Sequence, residues 1–337
     1  MGNAEKVLLI NGMWRAGTTY FWSKIRENTS WRCFYEPLHE VLSVYHPSRN
    51  DDNMREEVWR MMRHPSMTLG YFHEYQLADA GVGVPGYSDK FAYERFLLGE
   101  EDSDPALEAY FQSLIDYAAS FGQRTCLQPN RMFLRSAWFT ARFPSVHVFV
   151  SRHWWDLWRS MYSFPNFYFP SRFYLIATLN AGHPLMRPLV EDRTLPLADT
   201  LFYTGEEAQV VPWLADRVDV FRFFYHVYVC AVVLSSADAD AVIDLTVAES
   251  APAMWEAVRV QLEAEGVHAD FSDCRPPHYE RDEEYASYEL VAAEVEARIL
   301  AQLPTVRIPA SRIPAYLPDD SPLKQLLLRF SGEPAAV

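Results

Sequence analysis

The most constraining feature of this chain is near its start, where the apolar run Val7-Leu8-Leu9-Ile10 stops at Asn11-Gly12 and a helical pattern resumes at Thr18, just after Gly17. A buried strand that becomes a helix across one short turn needs backbone conformations that glycine adopts without steric cost. The first N–H groups of the new helix are left unpaired at the positive end of its dipole, so such a junction is a cradle for an anion. This predicts a strand over 6–10 and a helix over 18–27. A plain strand-to-helix connection would read the same way from this segment alone, and a second motif has to separate the two.

The remaining pattern alternates. Strands are expected over 31–35, 146–150 and 241–245, and helices over 51–63, 105–121, 154–163 and 219–235, with another after Pro252. The Gly/Pro-rich stretch 81–88 reads as a loop. Alternation of this kind implies an α/β fold, a parallel central sheet flanked by helices, with the ligand beyond the carboxyl ends of the strands. No linker, low-complexity tract or internal repeat divides the 337 residues, so 1–337 reads as a single domain. A helical and loop insertion is expected around 46–125 and an acceptor-side loop region around 163–215.

The second motif follows the apolar strand 146–150. Arg152 stands directly beyond it after Ser151, and Ser160 lies two helical turns further on. An arginine fork can grip a phosphate through charge-assisted bonds while a hydroxyl from the adjoining helix closes the other side. The first loop has the Gly-x4-Gly spacing of a P-loop, but Thr18 stands where a nucleoside triphosphatase carries lysine. Arg15-Ala16-Gly17-Thr18-Thr19 resembles the 5′-phosphosulfate loop of sulfotransferases that use PAPS (3′-phosphoadenosine 5′-phosphosulfate). Arg152 and Ser160 resemble that family's 3′-phosphate pair. Leu127-Gln128-Pro129-Asn130-Arg131, Ala141-Arg142-Phe143-Pro144 and Ala241 to Leu245 are similar to its later segments, whereas Trp154 replaces the usual proline two residues after the arginine.

The resemblance implies a P-loop-like sulfotransferase fold, with Arg15, Ala16, Gly17, Thr18, Thr19, Tyr20, Arg152 and Ser160 binding PAPS and PAP (the 3′,5′-bisphosphate) released as product. Transfer to a hydroxyl also needs a base. Glu36, in Phe34-Tyr35-Glu36-Pro37-Leu38-His39, resembles the Tyr-Glu-Pro segment of carbohydrate sulfotransferases and is the first choice. Its alternative role is to cap a helix opening at Pro37. His39, one helical turn beyond, and His73, in an aromatic segment, are the other candidates. Arg15 adds charge at the reacting centre, and Arg275 stands in a downstream loop that could add to the basic nest.

The formal charge of −15 argues against nucleic acid or an anionic membrane as partner and leaves room for a local basic pocket. The first strand begins so early that no signal peptide or anchor is expected, and the apolar stretch 218–234, interrupted by Asp219, Arg222 and His226, reads as a buried helix. Cys33, Cys126, Cys230 and Cys274 lie far apart, which suggests reduced thiols, a cytoplasmic location and no metal site. Aromatic residues crowd 154–174, and Pro165 and Pro170 exclude one regular helix over 163–172, so several rings are expected to line a cleft for an apolar or aromatic alcohol. The expected activity is sulfuryl transfer from PAPS to a hydroxyl of a small-molecule acceptor. The alternatives are a P-loop kinase using ATP and Mg²⁺ and a non-catalytic nucleotide-binding protein of the same fold.

Overall fold

The computed structural model describes residues 6–47, 65, 67, 69–78, 83–162, 168–191, 216–247, 252–299, 302–303, 308, 312–317 and 321–331. Five strands form one sheet: β1 (Val7–Gly12), β2 (Trp31–Tyr35), β3 (Arg124–Gln128), β4 (Ser145–Ser151) and β5 (Ala241–Asp244). All neighbours are parallel, in the order β2-β3-β1-β4-β5. Their near-continuous apolar runs are what a sheet covered on both faces requires.

The helices are α1 (Thr18–Arg26), α2 (Lys90–Tyr93), α3 (Pro105–Ala119), α4 (Ser136–Thr140), α5 (Trp154–Tyr162) and α6 (Tyr168–Leu179). They continue with α7 (Arg187–Val190), α8 (Arg217–Asp238), α9 (Pro252–Ala264), α10 (Glu283–Ile299) and α11 (Pro322–Ser331). From β1 the chain leaves toward the β2 edge, and from β4 it leaves toward β5. The two connections diverge, which opens a crevice between the carboxyl ends of β1 and β4.

Two glycines are required at this crevice. A Cβ on Gly12 would lie 2.7 Å from the Val150 carbonyl oxygen and 2.8 Å from Thr18 Cγ2. Gly17 has φ +99°, and a Cβ there would meet Leu245 Cδ1 at 2.5 Å. The turn is therefore as tight as its spacing implies, and Arg15 inside it takes a left-handed φ of 68°.

Several expectations need correction. The third strand was not anticipated: β3 occupies 124–128, and the Gln128-Pro129-Asn130-Arg131 turn is its exit. Charged Arg124 and polar Gln128 at its ends hide a short buried run from period-based reading. No helix opens at Pro37. Glu36 instead has φ 42°, and a single 3-10 turn, Glu40–Ser43, follows with His39 as its N-cap. Within the loop region expected around 163–215, residues 168–179 and 187–190 are helical, while 163–167 and 192–215 lie outside the described residues. Pro170 sits in the first turn of α6, where its missing N–H leaves no bond unmade. The helix expected over 51–63 lies outside the described residues, as do 81–82 of the expected loop and Phe164, Pro165 and Phe167.

Among the described residues, α8 is the one helix long and apolar enough to cross a membrane, and 83% of its most apolar stretch is buried within this fold. It packs beneath the sheet and against α5, α6 and α10 as a core helix. The four cysteines are free and buried.

Candidate active site

A cavity of about 1280 Å³ opens at the crevice. Its walls include Arg15, Gly17, Thr18, Thr19 and Tyr20 from the first turn, Glu36 and His39 after β2, and Arg152 and Ser160 beyond β4. These residues are far apart in sequence and meet because β1, β2 and β4 end on the same edge of the sheet. Ala16 is buried behind the turn and is not part of the wall. His73 and Arg275 also reach the cavity, His73 from an exposed position.

The turn is arranged for an anion. No side chain caps α1 and no acid lies in its first turn; the Tyr20 N–H donates to the Gly17 carbonyl oxygen at 2.9 Å, which leaves the Thr18 and Thr19 N–H groups to face a ligand. Arg15 Nε donates to Ser160 Oγ at 3.0 Å, and its guanidinium lies 5.9 Å from the Phe169 ring centroid. Arg15 thus spans from the turn to α5. Thr19 Oγ1 and the Tyr35 hydroxyl are 3.5 Å apart on the same wall. The Thr18 hydroxyl points elsewhere: it donates to Asn130 Oδ1 at 2.6 Å and accepts from Gln128 Nε2 at 2.7 Å. What Thr18 presents to a ligand is its backbone.

Arg152 is buried against a strap. Its guanidinium donates to the carbonyl oxygens of Arg15, at 3.2 Å, and of Pro277, and Asp156 Oδ2 lies 3.8 Å from its Nε. Asp156 also accepts from the Tyr279 N–H at 2.9 Å and lies 3.1 Å from His278 Nδ1. Asp273 ties the other end of the strap to α1 through the Tyr20 hydroxyl, at 2.6 Å, and Lys24, at 2.8 Å. The Arg275-Pro276-Pro277 segment therefore closes over Arg152 from one side of the cavity.

Glu36 is the most constrained group in the site. Asn130 Nδ2 donates to its Oε1 and Arg131 Nη1 to its Oε2, both at 2.7 Å. Burial drives its pKa up to about 7, with Arg131 and Asn130 working in the opposite direction and the nearby Glu40 adding to the rise. Arg131 also donates to Glu40 Oε2 at 2.5 Å, and Arg172 reaches Glu40 Oε1 at 3.2 Å. For Glu40, burial favours the neutral form, but Arg131 and Arg172, joined by His39 once that ring gains its charge at low pH, overcome it and hold the carboxyl well below the usual range. The result is two neighbouring carboxylates of opposite character. Glu40 is a fixed anion, and Glu36 titrates near neutrality.

His39 is assigned by its geometry. Its Nδ1 accepts the Val41 N–H at 3.1 Å, so the neutral ring carries its proton on Nε2. Burial lowers its pKa to about 4, and the Arg131 and Arg172 charges contribute. A neutral ring with its acceptor nitrogen occupied is a hydrogen-bond donor to the cavity rather than a base.

Asn130 and Arg131 are functional residues that the sequence pattern does not assign. The available signal was their place directly after a strand end, which becomes visible only once β3 is recognised. The aromatic tract also reads differently in three dimensions. Trp154, Trp155 and Trp158 are buried against α8 and α10, with Trp154 stacked on Tyr285 at 5.1 Å and Trp158 4.9 Å from Tyr162. Among its described members only Phe169 reaches the cavity, where Trp14 joins it. No group of three or more His, Cys, Asp or Glu side chains with metal-site geometry occurs among the described residues.

Comparison with protein families, with curated proteins and with solved structures finds no match for this chain. The functional reading therefore rests on the site itself.

Proposed function

We propose that this chain is a PAPS-dependent sulfotransferase that moves a sulfuryl group to the hydroxyl of a small-molecule acceptor and releases PAP. The observation that carries the reading is that an uncapped strand-to-helix turn, the Arg152/Ser160 pair and a carboxyl that titrates near neutrality share one cavity. The residues fit the group. The first turn of α1 with Arg15 and Thr19 would hold the 5′-phosphosulfate, and Arg152 with Ser160 would hold the 3′-phosphate, which competes with the Pro277 carbonyl for the guanidinium. A volume of about 1280 Å³ exceeds the roughly 300–1,000 Å³ that one ligand of this size needs, leaving room for the acceptor alongside.

When bound, PAPS supplies an activated sulfuryl group whose bridging S–O bond breaks as a new S–O bond to the acceptor oxygen forms. Glu36 takes the acceptor's proton, and the bond pair of the broken S–O bond stays on the departing 5′-phosphate oxygen. The turn N–H groups and Arg15 stabilise the charge that develops there. His39 lines the same cavity, where its Nε2–H would serve as a donor to a sulfuryl or acceptor oxygen. Trp14 and Phe169 give the acceptor side an aromatic wall, which suits an apolar or aromatic alcohol.

Calorimetric titration with PAP, and separately with ATP plus Mg²⁺, tests the reading. PAP binding that is lost in Arg152→Ala, with ATP weak, supports it and directs a screen of alcohols with labelled PAPS. ATP binding without PAP binding refutes it and favours a kinase, for which the turn offers no lysine. PAP binding with no consumption of PAPS by any alcohol leaves a nucleotide-binding protein without transfer.

A further inference from the structure

Thr18, Asn130 and Glu36 come from three elements: the first residue of α1, the turn after β3 and the turn after β2. The hydrogen bonds joining them have one consistent polarity. A carboxylate only accepts, so the Asn130 atom 2.7 Å from Glu36 Oε1 is its nitrogen. Asn130 Oδ1 then faces Thr18, whose single hydroxyl proton must go to it across 2.6 Å. Having spent that proton, Thr18 Oγ1 can only accept. The donor it receives is Gln128 Nε2 at 2.7 Å, whose second hydrogen goes to Asn130 Oδ1 at 2.8 Å. All three polar side chains are buried at the wall of the cavity, where their mutual bonds fix their orientation.

We propose that Asn130 is a positioning residue: it fixes the orientation of the Glu36 carboxylate and favours its charged form, and Thr18 locks the Asn130 amide in the orientation this requires. The inference rests on the reading of Glu36 as the base. Arg131 cannot perform the task alone, because it holds Oε2 and shares its guanidinium with Glu40 and the Tyr93 hydroxyl. Without Asn130, Oε1 loses the donor that sets the plane of the carboxylate. Thr18 connects this system to the anion-binding turn, since its backbone belongs to the first turn of α1 while its hydroxyl belongs to the base.

The test reads Glu36 directly. A difference infrared titration of the wild-type protein against Glu36→Gln isolates the Glu36 carboxyl band without PAPS or acceptor. Asn130→Ala is expected to raise the midpoint by about one pH unit, because a donor to the charged form is removed. Thr18→Val should raise it by a smaller amount, and Thr18→Ser should restore the wild-type value, which a role confined to packing would not do. An unmoved midpoint in Asn130→Ala overturns the proposal. If that variant does not fold, Thr18→Val decides: a raised midpoint restored by serine supports the proposal, and an unmoved one overturns it. PAPS consumption is measured separately. Midpoints that move as expected in a protein that consumes no PAPS leave the positioning role standing and refute the transferase reading.

Discussion

Arg131→Met is the perturbation that most sharply tests how this site is held together. Arg131 is 1% exposed and donates to Glu36 at 2.7 Å and Glu40 at 2.5 Å, with its guanidinium 5.6 Å from the Trp14 centroid and 5.4 Å from that of Tyr93. Methionine keeps much of the volume but leaves the buried Glu36 carboxyl facing the half-buried one of Glu40, with Glu40 still held by Arg172. Removing one partner of a buried ion pair costs roughly 3–5 kcal/mol, largely because a charge is left uncompensated. The pH dependence is more diagnostic than the size. In the wild type, Glu40 is depressed, so its contribution is present above about 4.5 and is lost only as pH falls through its much lower folded value. Glu36 is raised to about 7, so its contribution is complete below about 4.5 and is lost as pH rises through 7. Without Arg131 both carboxyls shift upward, at about 1.4 kcal/mol per pH unit. The variant should therefore lose most above pH 7 and recover about 1.4 kcal/mol of the deficit by pH 5, where Glu36 is protonated in both proteins. Urea unfolding at pH 8 and pH 5, followed by fluorescence and circular dichroism with coincident transitions, measures this. A deficit under about 1 kcal/mol at pH 8, or one that does not change with pH, refutes the account of Arg131 as the compensating charge.

Gly17→Ala should cost about 2–5 kcal/mol, the sum of a left-handed φ and an overlap with Leu245, and adding Leu245→Ala should not restore the φ part; urea unfolding of the double-mutant cycle separates the two. If PAPS is the donor, kcat/KM should fall on acidification with a midpoint near 7, because ionised Glu36 is the active form, and Glu36→Gln should abolish that limb; a midpoint near 4 would point to another base. Asp156→Ala should free the strap from His278 and Tyr279, increasing the rate at which PAP enters while weakening its retention; stopped-flow binding reads both constants. An Nε2-donor role for His39 predicts that His39→Gln, which retains an N–H donor, keeps far more PAPS turnover than His39→Ala.

Much of the scaffold could be read from local pattern alone. The tight turn needs Gly12 and Gly17, apolar runs need a buried sheet, and Arg152 with Ser160 needs only a strand end followed by a helix. These are short-range consequences of steric limits and periodicity, which is why the 31–35 strand and the start of α1 fall where the residues imply. The parallel α/β architecture followed from the same alternation. Tertiary structure decided what distance along the chain conceals. β3, with polar ends and a short buried middle, becomes a strand because β1 and β2 flank it, and only then does the turn after it bring Asn130 and Arg131 to Glu36. The near-neutral titration of Glu36 and the fixed charge of Glu40 depend on burial and on arginines more than ninety residues away in sequence. The tryptophans of α5 are core beneath α8 and α10, and of the rings expected to line a cleft over 163–172 the described Phe169 reaches the cavity. Local sequence sets the conformations the backbone can adopt, whereas charge states and cavity walls depend on which distant side chains fill the same desolvated space.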